Sequence, residues 1–227
     1  MTSVAKRAAG RAAAALVQDG MAVGLGSGST MRFAIEALAV RVREEGLRFV
    51  GVPTSVAAGA LARESGLALT ELDGVLDLAI DGADEVEVGT LRLIKGLGGA
   101  LLREKIVAES SRRFVAVATT DKLVERLGEH VSVPVEVSRF GELASVRRLA
   151  ALGAAPVLRR GADGAAFITD GGNLIYDCGF GPIGDPFTVD RRLRAIAGVL
   201  GTGLFLGPVE QALIGKDDGS VEVRRAG

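Results

Sequence analysis

The chain has one cysteine, Cys178, and one histidine, His130. A lone thiol closes no internal disulfide and fits a reducing compartment. With no cluster of Cys and His at ligand spacing, no metal site is expected. Cys178 reads as a small core residue, and His130 as structural or exposed. A surplus of one charge sign is missing too: 27 Lys and Arg stand against 28 Asp and Glu, for a formal net charge of -1. That balance points to neither a nucleic acid nor a strongly charged partner. No apolar run approaches the ~20 residues that span a bilayer, so no membrane partner is expected. A cytoplasmic protein is the expectation.

What is present is an apolar, glycine-rich chain. Of its 227 residues 48% are hydrophobic, which excludes wholesale disorder, and 32 are glycine. The length suits one compact α/β unit, or a main domain with a small companion. The alanine-rich opening stretch carries three basic residues, but its apolar segment at 12–17 is short for a signal core. It reads as a first amphipathic helix with Ser3 as N-cap.

From residue 1 to about 129, short apolar runs alternate with helical patterns. Strands are expected at 21–24, 49–52, 67–72, 76–80 and 114–118, and helices at 32–42, 56–64 and 100–109. Residues 91–94 form a further short run, too close to the strand before it for a parallel crossover, which needs a dozen or more residues. This rhythm implies βαβ units and a mostly parallel, Rossmann-like sheet. A different rhythm starts near Pro134, with strands expected at 133–137, 156–159, 166–169, 174–178 and 199–205. Helices are expected at 143–152 and 189–197. The order is that of a smaller ferredoxin-like α+β domain. The expected division is 1–129, joined again by 203–227, and 130–202.

Ligands of open α/β sheets bind beyond the carboxyl ends of the strands. Four expected strand ends carry informative segments: Gly26-Ser27-Gly28-Ser29-Thr30, Asp81-Gly82-Ala83-Asp84-Glu85, Lys95-Gly96-Leu97-Gly98-Gly99 and Thr119-Thr120-Asp121-Lys122. The first offers backbone N–H groups and hydroxyls ahead of a helix N-terminus, which suits an anion. It is no dinucleotide fingerprint, because Ser29 stands where a third glycine would be needed, and it lacks the lysine of a Walker loop. Asp81 and Asp84 place two carboxylates beside a buried sheet edge, suited to sugar hydroxyls or proton transfer, or else to a solvated turn. Lys95 adds an ammonium next to a glycine loop that opens a helix. Glu104, early in that helix, is either an exposed helix charge or a base for ene-diol chemistry.

Three motifs in order carry a family resemblance: Gly-Leu-Gly-Ser-Gly-Ser-Thr at 24–30, Asp-Gly-Ala-Asp-Glu at 81–85, and Lys-Gly-Leu-Gly-Gly-Ala-Leu-Leu-Arg-Glu-Lys at 95–105. Together with Pro134-Val135-Glu136-Val137, Thr169-Asp170-Gly171-Gly172-Asn173 and Gly203-Leu204-Phe205, they resemble the ribose-5-phosphate isomerase A family along essentially the whole chain. The resemblance implies interconversion of ribose 5-phosphate and ribulose 5-phosphate through an ene-diol, without a cofactor, by a homodimer or higher homo-oligomer. It implies Glu104 as the base, Asp81 in ring opening, and Asp84 and Lys95 nearby. Ser27, Gly28, Ser29, Thr30, Gly82, Ala83, Gly96, Leu97 and Gly98 would line the substrate site, with Lys122 on the phosphate. Ser27 stands where many members have threonine, and Leu97 where glycine or arginine is frequent. A non-catalytic sugar-phosphate sensor of the same fold is the alternative; it would need the anion loop but not Glu104.

Overall fold

The computed structural model describes residues 3–226. In chain order the elements are α1 (Ser3–Ala14), β1 (Ala22–Leu25), α2 (Ser29–Glu45), β2 (Val50–Pro53), α3 (Val56–Glu64), β3 (Leu78–Gly82), β4 (Glu85–Glu87), β5 (Leu93–Ile94), α4 (Leu101–Glu109) and β6 (Phe114–Thr119). They continue with β7 (Leu123–Val124), β8 (Val133–Val137), α5 (Glu142–Ala151), β9 (Ala155–Leu158), β10 (Leu174–Gly179), α6 (Pro186–Arg194), β11 (Val199–Thr202), β12 (Leu204–Phe205), β13 (Gln211–Gly215) and β14 (Val221–Arg224).

The main sheet runs β14-β13-β6-β3-β1-β2. All its pairs are parallel except the edge pair β13–β14. Its central strands read as continuous apolar runs because both faces are covered. Along β6 the residues alternate between two cores. Val115 and Val117 pack with Ala13, Ile35 and Leu38 of α1 and α2. Phe114, Ala116 and Ala118 pack with Val107 of α4 and with Phe205.

A second, antiparallel sheet runs β11-β8-β10-β9. With β8 as first strand this is the order 4-1-3-2 of a ferredoxin-like unit, in which β8 and β9 flank β10. Val133, Val135, Val137, Tyr176 and Cys178 meet Leu149 of α5 and Leu193 of α6 in one core. Cys178 is thus the buried core residue the composition implied, whereas the His130 side chain is exposed and its amide donates to Glu85.

Several expected strands take another form. Residues 67–72 make a single parallel bridge, Gly51 with Leu69, before the chain turns away, so no strand forms there. Residues 166–169 are likewise reduced to isolated bridges at Ala166 and Ile168. The run 91–94 shrinks to β5, which lies in a third small sheet, β12-β5-β4-β7, antiparallel to both neighbours on its sides. The expected strand 199–205 splits at Gly203, where the chain leaves β8 and joins β5. A Cβ at Gly203 would lie 2.3 Å from the Lys95 carbonyl oxygen and 2.6 Å from Pro134 Cδ, so only glycine passes this crossing. The helix expected to be capped by Ser3 begins at Ser3 itself, which puts the residue before it outside the described residues.

Candidate active site

Because β1, β3 and β6 are parallel neighbours, the segments that follow them open on one sheet edge. The Lys95 segment arrives by another route. It leaves the antiparallel β5, and the Lys95 amide is held by the Gly203 carbonyl at 2.9 Å. These four segments meet around a cavity of about 160 Å³. Ser27, Gly28, Ser29, Thr30, Gly82, Ala83, Asp84, Lys95, Gly96, Gly98, Glu104 and Lys122 line it. Two expected residues do not. Asp81 is the fourth residue of β3 and stands behind the cavity wall, 3% exposed. The Leu97 side chain is exposed, but its amide donates to Asp84 Oδ2 at 2.9 Å.

The charged centre is a buried triad. Lys95 Nζ lies 3.0 Å from Asp81 Oδ2 and 3.3 Å from Glu104 Oε2, and donates to the Gly82 carbonyl at 2.5 Å. Asp81 Oδ1 accepts from the amides of Ser27 at 3.1 Å and Gly82 at 2.7 Å. This contact requires glycine at 26: a Cβ there would fall 2.1 Å from Asp81 Oδ1. The anion loop and the carboxylate are therefore built against each other backbone to side chain.

Burial sets the proton affinities. It pushes Asp81 up, against the pull of the Lys95 charge and the two amide donors. It pushes Glu104 up to about 8, with help from the Asp81 charge and against Lys95. Burial disfavours the Lys95 ammonium, yet Asp81 and Glu104 outweigh it and hold the lysine above its ordinary value. Two carboxylates around one ammonium leave one negative charge uncompensated in a dry place, so the pair readily retains a proton. Such a group can give a proton and take one back at neutral pH.

The same cavity is lined by a loop with the features of an anion seat. α2 begins at Ser29 with Gly28 as its N-cap, and no side chain caps its first amides. Ser27 Oγ is tied to Thr54 Oγ1 at 2.8 Å and to Ser55 Oγ at 2.7 Å, which fixes the loop. Lys122 lies on the 3₁₀ turn Thr120–Lys122, and Lys6 of α1 donates to Ser29 Oγ at 2.8 Å. Lys6 and Ala118 of β6, which also line the cavity, are not among the expected residues, whereas Thr119 belongs to the expected strand-end segment. A lysine in an amphipathic helix reads as a solvated charge. Only the packing of α1 along α2 carries Lys6 to the loop.

The family model described as ribose 5-phosphate isomerase A (phosphoriboisomerase A) matches residues 50–219. Ribose-5-phosphate isomerase A of Roseiflexus castenholzii is 54% identical over 221 residues, spanning 96% of this chain and 94% of the relative. The solved ribose 5-phosphate isomerase A of Methanocaldococcus jannaschii superposes with a TM-score of 0.92 at 39% identity, covering 97% of each chain. A D-ribose-5-phosphate isomerase solved in complex with phospho-erythronic acid also gives a TM-score of 0.92, at 35% identity and 97% coverage of each chain.

Proposed function

The chain belongs to the ribose 5-phosphate isomerase A family, and from that premise we propose that it interconverts D-ribose 5-phosphate and D-ribulose 5-phosphate through an ene-diol. The observation that carries this reading is the buried Lys95 held between Asp81 and Glu104 beside a cavity that the glycine–hydroxyl loop 27–30 also lines. A sensor would need the seat but not a buried carboxylate aimed into the cavity.

The substrate phosphate sits over Ser27, Gly28, Ser29 and Thr30, with Lys6 and Lys122 as counter-charges. Opening the furanose ring takes a proton from the anomeric hydroxyl and gives one to the ring oxygen. Asp84, on the cavity wall, accepts the first. Lys95 delivers the second and is recharged by the proton that Asp81 and Glu104 hold between them, which leaves Glu104 ionised. Glu104 then removes the C2 proton and delivers one to C1, while Asp84 gives its proton to O1 and the O2 hydroxyl proton goes back through Lys95 to the Asp81–Glu104 pair. Lys95 and loop amides stabilise the oxygen on which charge develops. The electrons move within the substrate, so no redox cofactor enters. Phospho-erythronic acid, named in the related structure, combines a phosphate with a planar carboxylate, a fair likeness of an ene-diolate.

The same reading extends to organisation. The catalytic α/β domain takes 1–129 with 203–227, supported by the pairing of β13 with β6, and the ferredoxin-like domain takes 130–202. Ile94, Val124 and Leu204 pack into the core of the latter, so the two share a hydrophobic seam. We place the enzyme in the cytoplasm as a homodimer or higher homo-oligomer that needs no metal, since Lys95 already supplies a fixed cation between the carboxylates.

A coupled assay for ribulose 5-phosphate formation, run after exhaustive dialysis against a chelator, tests the proposal. Undiminished turnover of ribose 5-phosphate is expected. No turnover would favour the sensor, and a loss restored by zinc or magnesium would refute the metal-free mechanism.

A further inference from the structure

Arg159 follows the end of β9, outside the cavity. Its guanidinium is bound at two points to Asp177 of β10: Nε donates to Oδ2 at 3.0 Å, and Nη2 donates to Oδ1. The remaining nitrogen reaches out of this sheet to the catalytic loop. Nη1 donates to the carbonyl of Gly96 at 2.7 Å and to that of Leu97 at 3.0 Å. The side chain is 11% exposed. A planar guanidinium can hold a carboxylate with one edge and two carbonyls with the other, which an ammonium cannot.

Two successive carbonyls drawn toward one cation set the directions of the amides that follow them. In a planar trans peptide the C=O and the next N–H point opposite ways. With the Gly96 carbonyl on Arg159, the Leu97 N–H turns away from it and meets Asp84 Oδ2. With the Leu97 carbonyl also on Arg159, the Gly98 N–H points away from the guanidinium, and Gly98 lines the cavity. Lys95, immediately before these peptides, is fixed from behind by the Gly203 carbonyl.

We propose that Arg159, oriented by Asp177, is a positioning residue that fixes the 95–98 loop so that Lys95 and the Gly98 amide meet the substrate oxygen that becomes charged. The ferredoxin-like unit thereby takes part in catalysis without touching the substrate. The assignment rests on the isomerase reading above, and it predicts a loss in chemistry rather than in phosphate binding.

The test compares wild type, Arg159→Lys and Asp177→Asn. Wild-type turnover of ribose 5-phosphate is the control, and its absence would reject the isomerase reading without bearing on the loop. Given that turnover, Arg159→Lys should lower kcat by about 10- to 100-fold, the scale of a small misplacement of catalytic groups. KM should stay within about threefold, because the phosphate contacts lie elsewhere. Inhibition by phospho-erythronic acid should weaken in step with kcat, while inhibition by inorganic phosphate should not. Asp177→Asn, which keeps the arginine but frees it, should show the same pattern more weakly. Unchanged kcat in both variants would overturn the proposal. So would equal weakening of inorganic phosphate and phospho-erythronic acid, or loss of folding in both variants, since each marks a purely structural part.

Discussion

Lys95 and Glu104 meet at 3.3 Å although one leaves a strand and the other begins a helix. Both side chains are 5% exposed or less. Glu104 lies in the first turn of α4, where the helix dipole favours a negative charge, yet burial prevails and its proton is held tightly. The contact thus joins a lysine held in its charged form to a carboxyl poised between its two protonation states.

Replacing Glu104 by glutamine keeps the size and removes the base. We expect kcat to fall by about 10²- to 10⁴-fold with KM little changed. The protonated base should exchange with solvent in some turnovers, so in D₂O part of the wild-type ribulose 5-phosphate should carry deuterium at C1, read by NMR, while Glu104→Gln should give neither turnover nor exchange. Near-normal kcat in the variant would take Glu104 out of the mechanism.

The pH dependence follows from the same carboxyl. Burial first, and the Asp81 charge second, push Glu104 up to about 8 from an ordinary 4.5. The base works ionised, so kcat/KM should climb as pH rises through this raised value. Asp81→Asn removes a negative neighbour, which makes ionisation of Glu104 easier. The acid limb should then move to lower pH, on a reduced residual activity. An acid limb that stays in place or moves upward in Asp81→Asn would contradict this account.

The anion seat can be probed through its two lysines. Lys6→Ala and Lys122→Ala should each lower kcat/KM for ribose 5-phosphate by roughly 10- to 100-fold, the value of one hydrogen bond to a charged group. Free ribose, which has no phosphate to bind, should turn over far more slowly than ribose 5-phosphate, and neither variant should alter that rate. Equal losses on both sugars would mean that these lysines do not act on the phosphate.

Gly26 offers a steric test. In Gly26→Ala the new methyl would stand 2.1 Å from Asp81 Oδ1 and 2.6 Å from Asp81 Cα, so strand or loop must move. We expect a lower melting temperature and a fall in kcat of about 10²-fold from displaced catalytic groups. Gly28→Ala makes the contrast: its Cβ meets nothing within 4 Å, and the strain is only that of φ 96°. Thermal melts and steady-state rates of the two variants should therefore differ clearly. A stable, fully active Gly26→Ala would show that the loop and Asp81 are not packed this tightly.

Local pattern was enough for much of the chain. Helix α3 begins and ends where its pattern placed it, with the Ser55 side chain accepting from the Ala58 amide at its start. β1, β2 and β6 lie within about one residue of their expected bounds because each is a short apolar run ended by glycine, proline or polar residues. The strand before Asp81 instead runs on through Gly82, since β6 continues to pair with it there, and Asp81 is buried as a result.

What the sequence determined by itself was the set of reactive groups, because motif, turn chemistry and strand order are local or follow from order along the chain. Tertiary structure decided how those groups stand to one another. It reduced residues 67–72 and 166–169 to bridges, because a strand exists only as far as a neighbour continues beside it. It split 199–205 at Gly203 and took β5 out of the parallel sheet, so that Lys95 enters from the side. It brought Lys6 to Ser29 and Arg159 to the Gly96 carbonyl across 23 and 63 positions of chain. No periodicity encodes such distances. Above all it buried Asp81, Lys95 and Glu104 together, and burial changes the proton affinity of a carboxyl, a property that belongs to its surroundings rather than to the residue.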